Sequence, residues 1–251
     1  MTPPPLIATA GWSIPRDVAG RFPSQGSGLQ RYAARFEAAE VNSTFYRSHR
    51  SATYARWYAA TPTNFRFAVK LPRAITHDAR LAVTQEPLAA FRDEVAGLRE
   101  KLGPLLVQLP PSLALELSAA DRFFSNLREI WRGAIAFEPR HPTWFEADAE
   151  ALLRDYEIGR VAADPAPHPA AGAPGGWKGL AYWRLHGCPR MYYSAYGEAD
   201  ITALAFKLRQ TVSRQTWCVF DNTASGAAAA NALDLRNRVL AAPDSSLIQG
   251  A

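Results

Sequence analysis

The sequence predicts an α/β fold, a single (β/α)₈ barrel of the TIM type in which residues 1–251 form one domain. Eight short runs of apolar, β-branched or aromatic residues recur along the chain, and helical periodicity fills most of the intervals between them. Strands that alternate with helices pair in parallel through right-handed crossovers. No linker divides the chain, and its length of 251 residues is typical of one such barrel.

The predicted elements follow from these runs in order. The eight strands are residues 6–11, 38–42, 66–71, 105–109, 134–138, 159–164, 180–186 and 217–222. The helices are residues 28–36, 52–60, 86–102, 119–131, 146–156, 201–212 and 224–239. Residues 165–179 break the alternation, because their proline, glycine and alanine content interrupts helices. We therefore expect the crossover after the sixth strand to lack a full helix.

The composition is that of a globular protein. Apolar residues make up 48% of the chain and charged residues 20%, which allows a sizeable buried core. Cys188 and Cys218, the two cysteines, lack the spacing of a disulfide framework or a zinc site. Neither a signal peptide nor an apolar run long enough to cross a bilayer is apparent. We expect a cytoplasmic protein without membrane contact, and the sequence makes no prediction of its oligomeric state.

Side-chain alternation gathers polar residues on one face of the predicted strands. The residues that share this face are Ala38, Glu40 and Asn42; Arg66, Ala68 and Lys70; Leu106 and Gln108; Ala134, Ala136 and Glu138; Arg160, Ala162 and Asp164; Tyr182, Arg184 and His186; Trp217, Val219 and Asp221. If the other parity packs against helices, this face points into the barrel. Its polar members then meet at the carboxyl ends of the strands, the catalytic end of such barrels.

The same residues also permit a purely structural interpretation. A charge buried alone costs several kcal/mol, so acids and bases on this face could pair off in an ion network. Arg66, Arg160 and Arg184 lie deeper in their strands, and for them we predict a structural role. For the set as a whole, a polar mouth indicates function, because a barrel core is normally filled by branched apolar residues.

Six segments on or near these strand ends share a pattern with a known family. They are GWSIP (11–15), EVNSTFY (40–46), FAVKLPRAITH (67–77), FEPRHPTWF (137–145), YWRLHG (182–187) and VFDNTASGAAAANA (219–232). Together, and in this order, they resemble the YecE-like family, also called domain of unknown function 72. The resemblance implies a TIM-type barrel with its mouth built from these segments, but no settled reaction, since a fold does not supply one. Cys188 and Pro189 replace an arginine-containing stretch of the commoner family pattern, so no anion contact carries over from that arginine.

The predicted catalytic residues are Glu40, Glu138, Lys70, His186 and Asp221. Glu40 and Glu138 end different strands and could face one another, one protonated and the other ionised, as acid/base hydrolysis of a glycosidic bond requires. Lys70 is expected to stabilise an anionic substrate. A Schiff base at Lys70 is the alternative.

The predicted substrate-binding residues lie at strand ends and in the loops that follow. They are Trp12, Asn42, Tyr46, His77, Gln108, Arg140, His141, Asp164, Arg184 and Asn222. Aromatic rings in these loops, with those of Trp144 and Tyr193, offer faces for a sugar or a base. Thr223 or Ser225 could cap the helix after the eighth strand and present its free N–H groups to an anion.

The leading hypothesis is a hydrolase-type enzyme without a cofactor, acting on a small polar or anionic substrate that contains phosphate or sugar. One alternative is a phosphoesterase assisted by a divalent metal, with ligands drawn from His141, His186, Glu138, Asp164 and Asp221, although no motif such as HExxH supports it. Another is a protein that binds a nucleotide or single-stranded nucleic acid without turnover, suggested by the net charge of +5. That alternative is not favoured, because the basic residues are scattered. A non-catalytic scaffold is the third.

Overall fold

The computed structural model describes residues 3–241, in which strands and helices alternate as the sequence predicts. The strands are β1 (Leu6–Thr9), β2 (Ala38–Val41), β3 (Arg66–Lys70), β4 (Leu102–Gln108), β5 (Ile135–Glu138), β6 (Ile158–Arg160), β7 (Ala162–Asp164), β8 (Gly175–Gly176), β9 (Leu180–Leu185) and β10 (Gln215–Phe220). The helices are α1 (Gly28–Ala33), α2 (Ser51–Ala59), α3 (Gln85–Val95), α4 (Leu117–Ile130), α5 (Ala147–Asp155), α6 (Glu198–Gln210) and α7 (Ala227–Leu240). Residues 1–2 and 242–251, the two ends of the predicted domain, lie outside the described residues.

Hydrogen bonds between the strands form two open sheets. One sheet has the order β1-β10-β9-β7, and the other has the order β2-β3-β4-β5-β6-β8. The pairs are parallel except for β6 with β8, which is antiparallel. The fold is therefore a mixed α/β fold with parallel sheets, as predicted at the level of class. The pairing does not close into the predicted eight-stranded barrel.

The two sheets meet at two seams. At one, the sixth predicted strand is divided at Val161 into β6 and β7, which belong to different sheets. At the other, Ala10 and Glu40 form a single parallel bridge beyond the end of β1. There the Gly11 N–H donates to the Glu40 carbonyl oxygen at 2.8 Å. Gly11 has a φ of +81°, a backbone conformation that glycine adopts without steric cost.

Both sheets contribute to one inner apolar cluster, and its members on β2 to β5, β9 and β10 lie on the face that side-chain alternation predicts to point inward. Its members are Ala8, Ala38, Ala68, Leu106, Ala136, Val161, Leu180, Tyr182, Trp217 and Val219. Residues of the opposite parity, such as Phe67 and Val107, pack in the larger cluster that includes the helices. The predicted inward parity is thus confirmed for β2 to β5, β9 and β10. It explains why the polar ends of these strands converge.

In the sixth predicted strand the inward parity was wrong. Val161 joins the inner cluster, whereas Ala162 packs in the outer one, because the chain changes sheets between β6 and β7. Arg160 turns toward α5, where its Nε donates to Glu150. Its Nη1 donates to the Ala170 carbonyl oxygen at 2.9 Å. Arg160 therefore has the structural role predicted for it, but outside the polar face.

Two connections between elements differ in how well the sequence predicts them. Residues 165–179 hold only β8 and the short 3-10 helix Pro169–Gly172, as their composition predicts. The third helix is shorter than predicted, because α3 gives way to the 3-10 segment Ala96–Lys101, in which Arg99 has a φ of +49°. Gly97 in that segment lies so close to α2 that a Cβ atom would meet the Ser51 carbonyl oxygen at 2.8 Å.

Among residues 3–241, no helix combines the length and apolar character that a bilayer crossing needs.

Candidate functional site

A cavity of about 450 Å³ opens at the carboxyl ends of the strands. Its lining comes from segments that follow strands of both sheets. The lining residues are Asn42, Phe45, Tyr46, Lys70, Arg73, His77, Gln108, Leu109, Pro110, Pro111, Arg140, Tyr192, Tyr193, Asp221, Thr223 and Ala224. A cavity of this size at the carboxyl ends of parallel strands is the usual place for a ligand site in α/β folds.

Beneath the cavity, the fully buried Arg184 of β9 binds three carboxylates. Its Nη2 and Nε donate to Glu40 at 2.8 and 3.1 Å, its Nη1 donates to Glu138 at 2.7 Å, and Nη2 also reaches Asp221 at 3.0 Å. Tyr182 completes the shell of Glu40 with a hydrogen bond of 2.8 Å. Burial alone would lower the pKa of Arg184, but the three carboxylates raise it well above its usual range. We call these five side chains, with His186 and Arg140, the Arg184 network.

His186, directly after β9, bridges two carboxylates of the Arg184 network. Its Nε2 lies 2.9 Å from Glu138 Oε1, and its Nδ1 lies 3.1 Å from Asp221 Oδ2. Burial alone would lower the pKa of His186, but the two carboxylates raise it above its ordinary value. The two carboxylates therefore favour the imidazolium form, which donates both N–H groups and has no lone pair with which to act as a base.

Glu138, at the end of β5, accepts four hydrogen bonds and stays ionised. Besides Arg184 and His186, Gln108 and Arg140 each donate to it at 3.0 Å. Burial alone would raise the pKa of Glu138, but Arg184, His186 and Arg140 hold it well below its ordinary value. Glu40 is bound to the same guanidinium and is fully buried. The two glutamates thus act as counter-ions of Arg184, and neither lines the cavity.

Asp221, directly after β10, connects the Arg184 network to the cavity. Its Oδ2 accepts from Arg184 and His186, whereas no hydrogen bond of the described residues reaches its Oδ1. Burial alone would raise the pKa of Asp221, but Arg184, His186 and Lys70 lower it. The cavity therefore contains an ionised carboxylate with one oxygen available to a ligand.

Lys70, the last residue of β3, is a buried lysine in the wall of the cavity. Only 4% of the residue is exposed, and among residues 3–241 its Nζ takes part in no hydrogen bond or ion pair. The Nζ atom lies over the ring of Phe45, 4.1 Å from the ring centroid. Burial and the neighbouring Arg184 lower the pKa of Lys70 to about 8, although the carboxylates of the network oppose this shift. The amino group is thus poised to change its protonation near neutral pH.

The remaining charge in the lining is mainly positive. Arg140 is held by Glu138 at 3.0 Å, and Arg73 is held by Asp78 at 3.1 Å. Burial, with the adjacent Lys70 and Arg73, lowers the pKa of His77 and so favours its neutral ring. Asp221 is the one carboxylate among the described residues that line the cavity. The lining therefore favours an anionic ligand.

Three tyrosines form an exposed aromatic rim around the cavity. Tyr46 is 74% exposed, and Tyr192 and Tyr193 are exposed as well. Tyr192 has a φ of +69°, a strained conformation that its hydrogen bonds maintain: its N–H donates to the His186 carbonyl, and its own carbonyl accepts from Ala224. The Arg190 guanidinium lies 3.9 Å from the centroid of the Tyr193 ring. These rings offer faces to a planar or sugar-like part of a ligand.

Several predicted binding residues do not reach the cavity. Trp12 packs edge-on against Trp57, with ring centroids 5.0 Å apart, so it belongs to the core between strands and helices. His141 accepts from the Thr143 N–H and caps a short helix. Asp164 lines a different cavity, because the change of sheet at Val161 turns its strand away.

Two further predictions concern side chains that support the loops. Trp144 is buried and donates from Nε1 to the Leu113 carbonyl at 2.9 Å, so it offers no face to a ligand. Asn222 is also buried, and its Nδ2 binds the Ser194 carbonyl and Asn231, each at 3.0 Å. Asn222 thus anchors the segment that carries Tyr192 and Tyr193.

The predicted metal ligands do not fit a metal site. Both ring nitrogens of His186 are bound to carboxylates, and His141 and Asp164 lie away from the network. Within residues 3–241, no three His, Cys, Asp or Glu side chains form a group that could hold an ion. The arrangement instead neutralises its carboxylates with arginine and histidine.

Arg73 and Tyr192 are two of the lining residues that the sequence interpretation missed. Arg73 stands three residues beyond Lys70 in the segment FAVKLPR, and this short distance from a strand end could have indicated a place in the lining. Tyr192 lies six residues beyond His186 in a segment without periodicity, and only the position of that segment in the structure identifies Tyr192 as a lining residue.

Comparison with known proteins agrees with this architecture. A sequence model of the family described as "Protein of unknown function DUF72" matches residues 6–249. The UPF0759 protein YecE of Escherichia coli K12 is 30% identical over 171 residues, and that of E. coli O157:H7 is 29% identical. The matched segment is 66% of this chain and spans only 61% of the length of each relative.

Two solved structures share the fold over nearly the whole chain. A DUF72 family protein of Enterococcus faecalis V583 has a TM-score of 0.79 at 21% identity, covering 95% of this chain and 96% of that one. A DUF72 family protein of Thermotoga maritima MSB8 has a TM-score of 0.75 at 25% identity, covering 93% and 98%. The arrangement of strands and helices is thus similar in these proteins.

Proposed function

This chain belongs to the DUF72 family, whose description names no reaction, and we propose that it is an enzyme acting on a small anionic substrate in the cavity at the strand ends. The observation that carries the proposal is the distribution of charge partners. The buried carboxylates are bound by Arg184, His186 and Arg140, while Lys70 has no ionic partner within residues 3–241. A buried cation without a counter-ion is costly, and an anionic ligand would supply one.

Hydrolysis is the reaction class we propose, in a form that does not use a pair of glutamates. At pH 7 most Lys70 side chains carry a proton that can be given to a leaving group, since the pKa of Lys70 is about 8. The free Oδ1 of Asp221 can accept a proton from an attacking water. Arg73 and Arg140 would bind the anion and stabilise charge that develops on it.

The aromatic rim supports a substrate with a ring beside its anionic group. Tyr46 and Tyr193 present exposed ring faces within reach of the same cavity. A phosphorylated sugar or a nucleotide has this combination of charge and ring. A nucleotide that binds without turnover would use the same contacts, so turnover decides between the two functions.

We also propose that the two sheets are parts of one TIM-type barrel in a single domain. The shared inner cluster supports this, as does the bridge between Ala10 and Glu40 at one seam. At the other seam the chain runs without interruption through Val161. The Arg184 network supports it further, because Glu40 and Arg184 come from different sheets.

The proposal is tested first by binding. Titration calorimetry with inorganic phosphate should give a measurable affinity that falls at least tenfold in Arg73→Gln. Arg92→Gln is the matched control, because Arg92 is also an exposed arginine paired with a nearby aspartate, and it does not line the cavity. Equal affinity in the wild type and Arg73→Gln would contradict the proposed anion site.

Turnover is tested separately with generic phosphoesters and glycosides. We expect a rate for at least one substrate that drops about a hundredfold in Lys70→Met and in Asp221→Asn, as loss of a positioned proton-transfer group does. Lys101→Met serves as the control, because that buried lysine lies outside the cavity. Phosphate binding without any turnover would favour the non-catalytic alternative.

A further inference from the structure

Lysine is rare in this chain, and its placement is informative. Of the 28 basic residues other than histidine, four are lysines, at positions 70, 101, 178 and 207, and the remainder are arginines. Arginine does not lose its proton in proteins, whereas a buried lysine does so readily. A lysine at position 70 therefore supplies a property that arginine would not, an amine that can become neutral.

Lys70 and Lys101 are equally buried, each 4% exposed, but differ in their contacts. Lys101 Nζ donates to the carbonyl oxygens of Tyr58 and Thr61 at 2.6 and 2.7 Å, and to the Thr61 hydroxyl at 3.2 Å. Its three donors are thus used within the fold. Lys70 Nζ has no such acceptor among the described residues and points instead to a cavity that can hold a small molecule. The contrast separates a structural lysine from one that is available for chemistry.

We infer that Lys70 forms a Schiff base with a small aldehyde or ketone that carries a phosphate or carboxylate group. The inference rests on the proposed function for its cavity and its anion site, and it does not depend on hydrolysis. Arg73 and Arg140 would hold the anionic group and so bring the carbonyl carbon to Nζ. The Phe45 ring, 4.1 Å from Nζ, covers one side of the amine with apolar surface.

The step balances without a further reactant. The neutral amine of Lys70 adds to the carbonyl carbon, an N–C bond forms, the C=O π electrons move to the oxygen, and a proton passes from the nitrogen to that oxygen to give a carbinolamine. The carbinolamine then loses that oxygen as water after a second protonation, while the nitrogen lone pair forms the C=N bond. The product is an iminium that keeps one proton and one positive charge, with one water released. The ionised Asp221 in the same cavity would stabilise this charge.

The environment keeps the amine reactive at neutral pH. With a pKa of about 8, roughly a tenth of the Lys70 side chains are neutral at pH 7, against well under 0.1% for an ordinary lysine. The carboxylates of the Arg184 network form ion pairs with Arg184 and His186, and within residues 3–241 none of them forms an ion pair with Lys70. A lowered pKa and an open approach are what a nucleophilic lysine requires.

The test is reductive trapping. The full chain is incubated at pH 7.5 with glyoxylate, pyruvate or glyceraldehyde 3-phosphate, reduced with sodium borohydride, and mapped by peptide mass spectrometry. We expect the reduced adduct at Lys70, at least tenfold more with glyceraldehyde 3-phosphate than with uncharged glyceraldehyde. Excess inorganic phosphate should protect Lys70, and this readout needs no variant. Lys101→Met should label like the wild type, whereas Lys70→Met should lose the adduct.

Two results would overturn the inference. One is the absence of any adduct at Lys70 with all three carbonyl compounds. The other is labelling of Lys70 no greater than that of Lys178 and Lys207, which lie outside the cavity. If phosphate still binds and Arg73→Gln still weakens it, the Schiff base is refuted and the proposed function stands. If neither trapping nor phosphate binding is found, both fail.

Discussion

We expect the substitution Lys70→Met to raise the free energy of unfolding at neutral pH. Methionine has a similar length and removes a charge that finds no ionic partner in the described structure. Because Nζ makes no hydrogen bond among residues 3–241, the substitution leaves no acceptor unsatisfied there. The neighbouring Phe45 ring would then pack against a thioether, a favourable contact.

The magnitude follows from the pKa of Lys70, which falls from an ordinary 10.5 to about 8 on folding. That difference corresponds to about 3 kcal/mol. Because the folded-state pKa of this base is lowered, the unfolded chain binds more protons between pH 8 and 10.5, and the wild type gains stability as the pH rises through that window. The advantage of Lys70→Met should therefore be full below pH 8, decline by about 1.4 kcal/mol per pH unit, and vanish near pH 10.5.

Urea unfolding followed by tryptophan fluorescence between pH 6.5 and 10 measures this difference. Lys101→Met is the matched control and should destabilise the protein at every pH, because it removes the donor to the Tyr58 and Thr61 carbonyls. A Lys70→Met protein that is less stable than the wild type at pH 7 would refute the reasoning. So would an advantage that is unchanged at pH 10.

Three further predictions follow from the same site. Arg184→Met should lower the free energy of unfolding by about 3–5 kcal/mol, because it removes the guanidinium that binds three buried carboxylates; a loss under 1 kcal/mol in urea unfolding would count against this. Because the pKa of Glu138 is lowered on folding, its ionised form stabilises the protein above the ordinary pKa of a glutamate, and this contribution is lost as the pH falls through the pKa in the folded state. Glu138→Gln should therefore be less stable than the wild type at pH 7 and approach it below about pH 4. Urea unfolding across that pH range checks this. Tyr46→Ala should change the free energy of unfolding by less than about 0.5 kcal/mol, because Tyr46 is 74% exposed. Calorimetry should nevertheless detect weaker binding of a ring-bearing phosphate and unchanged binding of inorganic phosphate. An equal loss of affinity for both would argue against a ring contact.

Much of the site could be predicted from strand parity. In β3 and β9, alternation correctly brings Lys70, Arg184 and His186 to the face that holds the inner cluster. This works because side chains alternate along a strand with a fixed period of two, so the face on which each strand-end residue lies follows from the position of the strand. Because Arg184 lies deeper in its strand, the sequence also predicts a structural role for it, and its three ion pairs are consistent with that role.

The distribution of charge partners could not be predicted in this way. From the sequence, Lys70 was expected to stabilise an anionic substrate, but its lack of an ionic partner among residues 3–241 could not be predicted. Arg184 binds three of the nearby carboxylates, because its planar guanidinium binds several oxygens at once. Residue spacing does not reveal which cation reaches which acid. For the same reason Glu138 is not the protonated member of the predicted glutamate pair, since it accepts hydrogen bonds from two arginines.

Asp164 illustrates a second limit. Counting by twos along the sixth predicted strand places it on the inward face, but the chain changes sheets at Val161 and the count restarts. Nothing in the local sequence marks that change, because each half is a three-residue strand with two apolar or small residues followed by one charged residue.

The Arg184 network joins side chains of both sheets, and this has a consequence for large-scale mutagenesis. Substitutions at Glu40, Glu138 or Arg184 should reduce the amount of folded protein in a cell, so a survey scored by abundance would rank them as most sensitive. Substitutions at Lys70 would leave the abundance unchanged or increase it in the same survey. Selection for yield alone would therefore favour the loss of the residue on which the proposed chemistry depends, and only a growth- or product-linked screen would retain it.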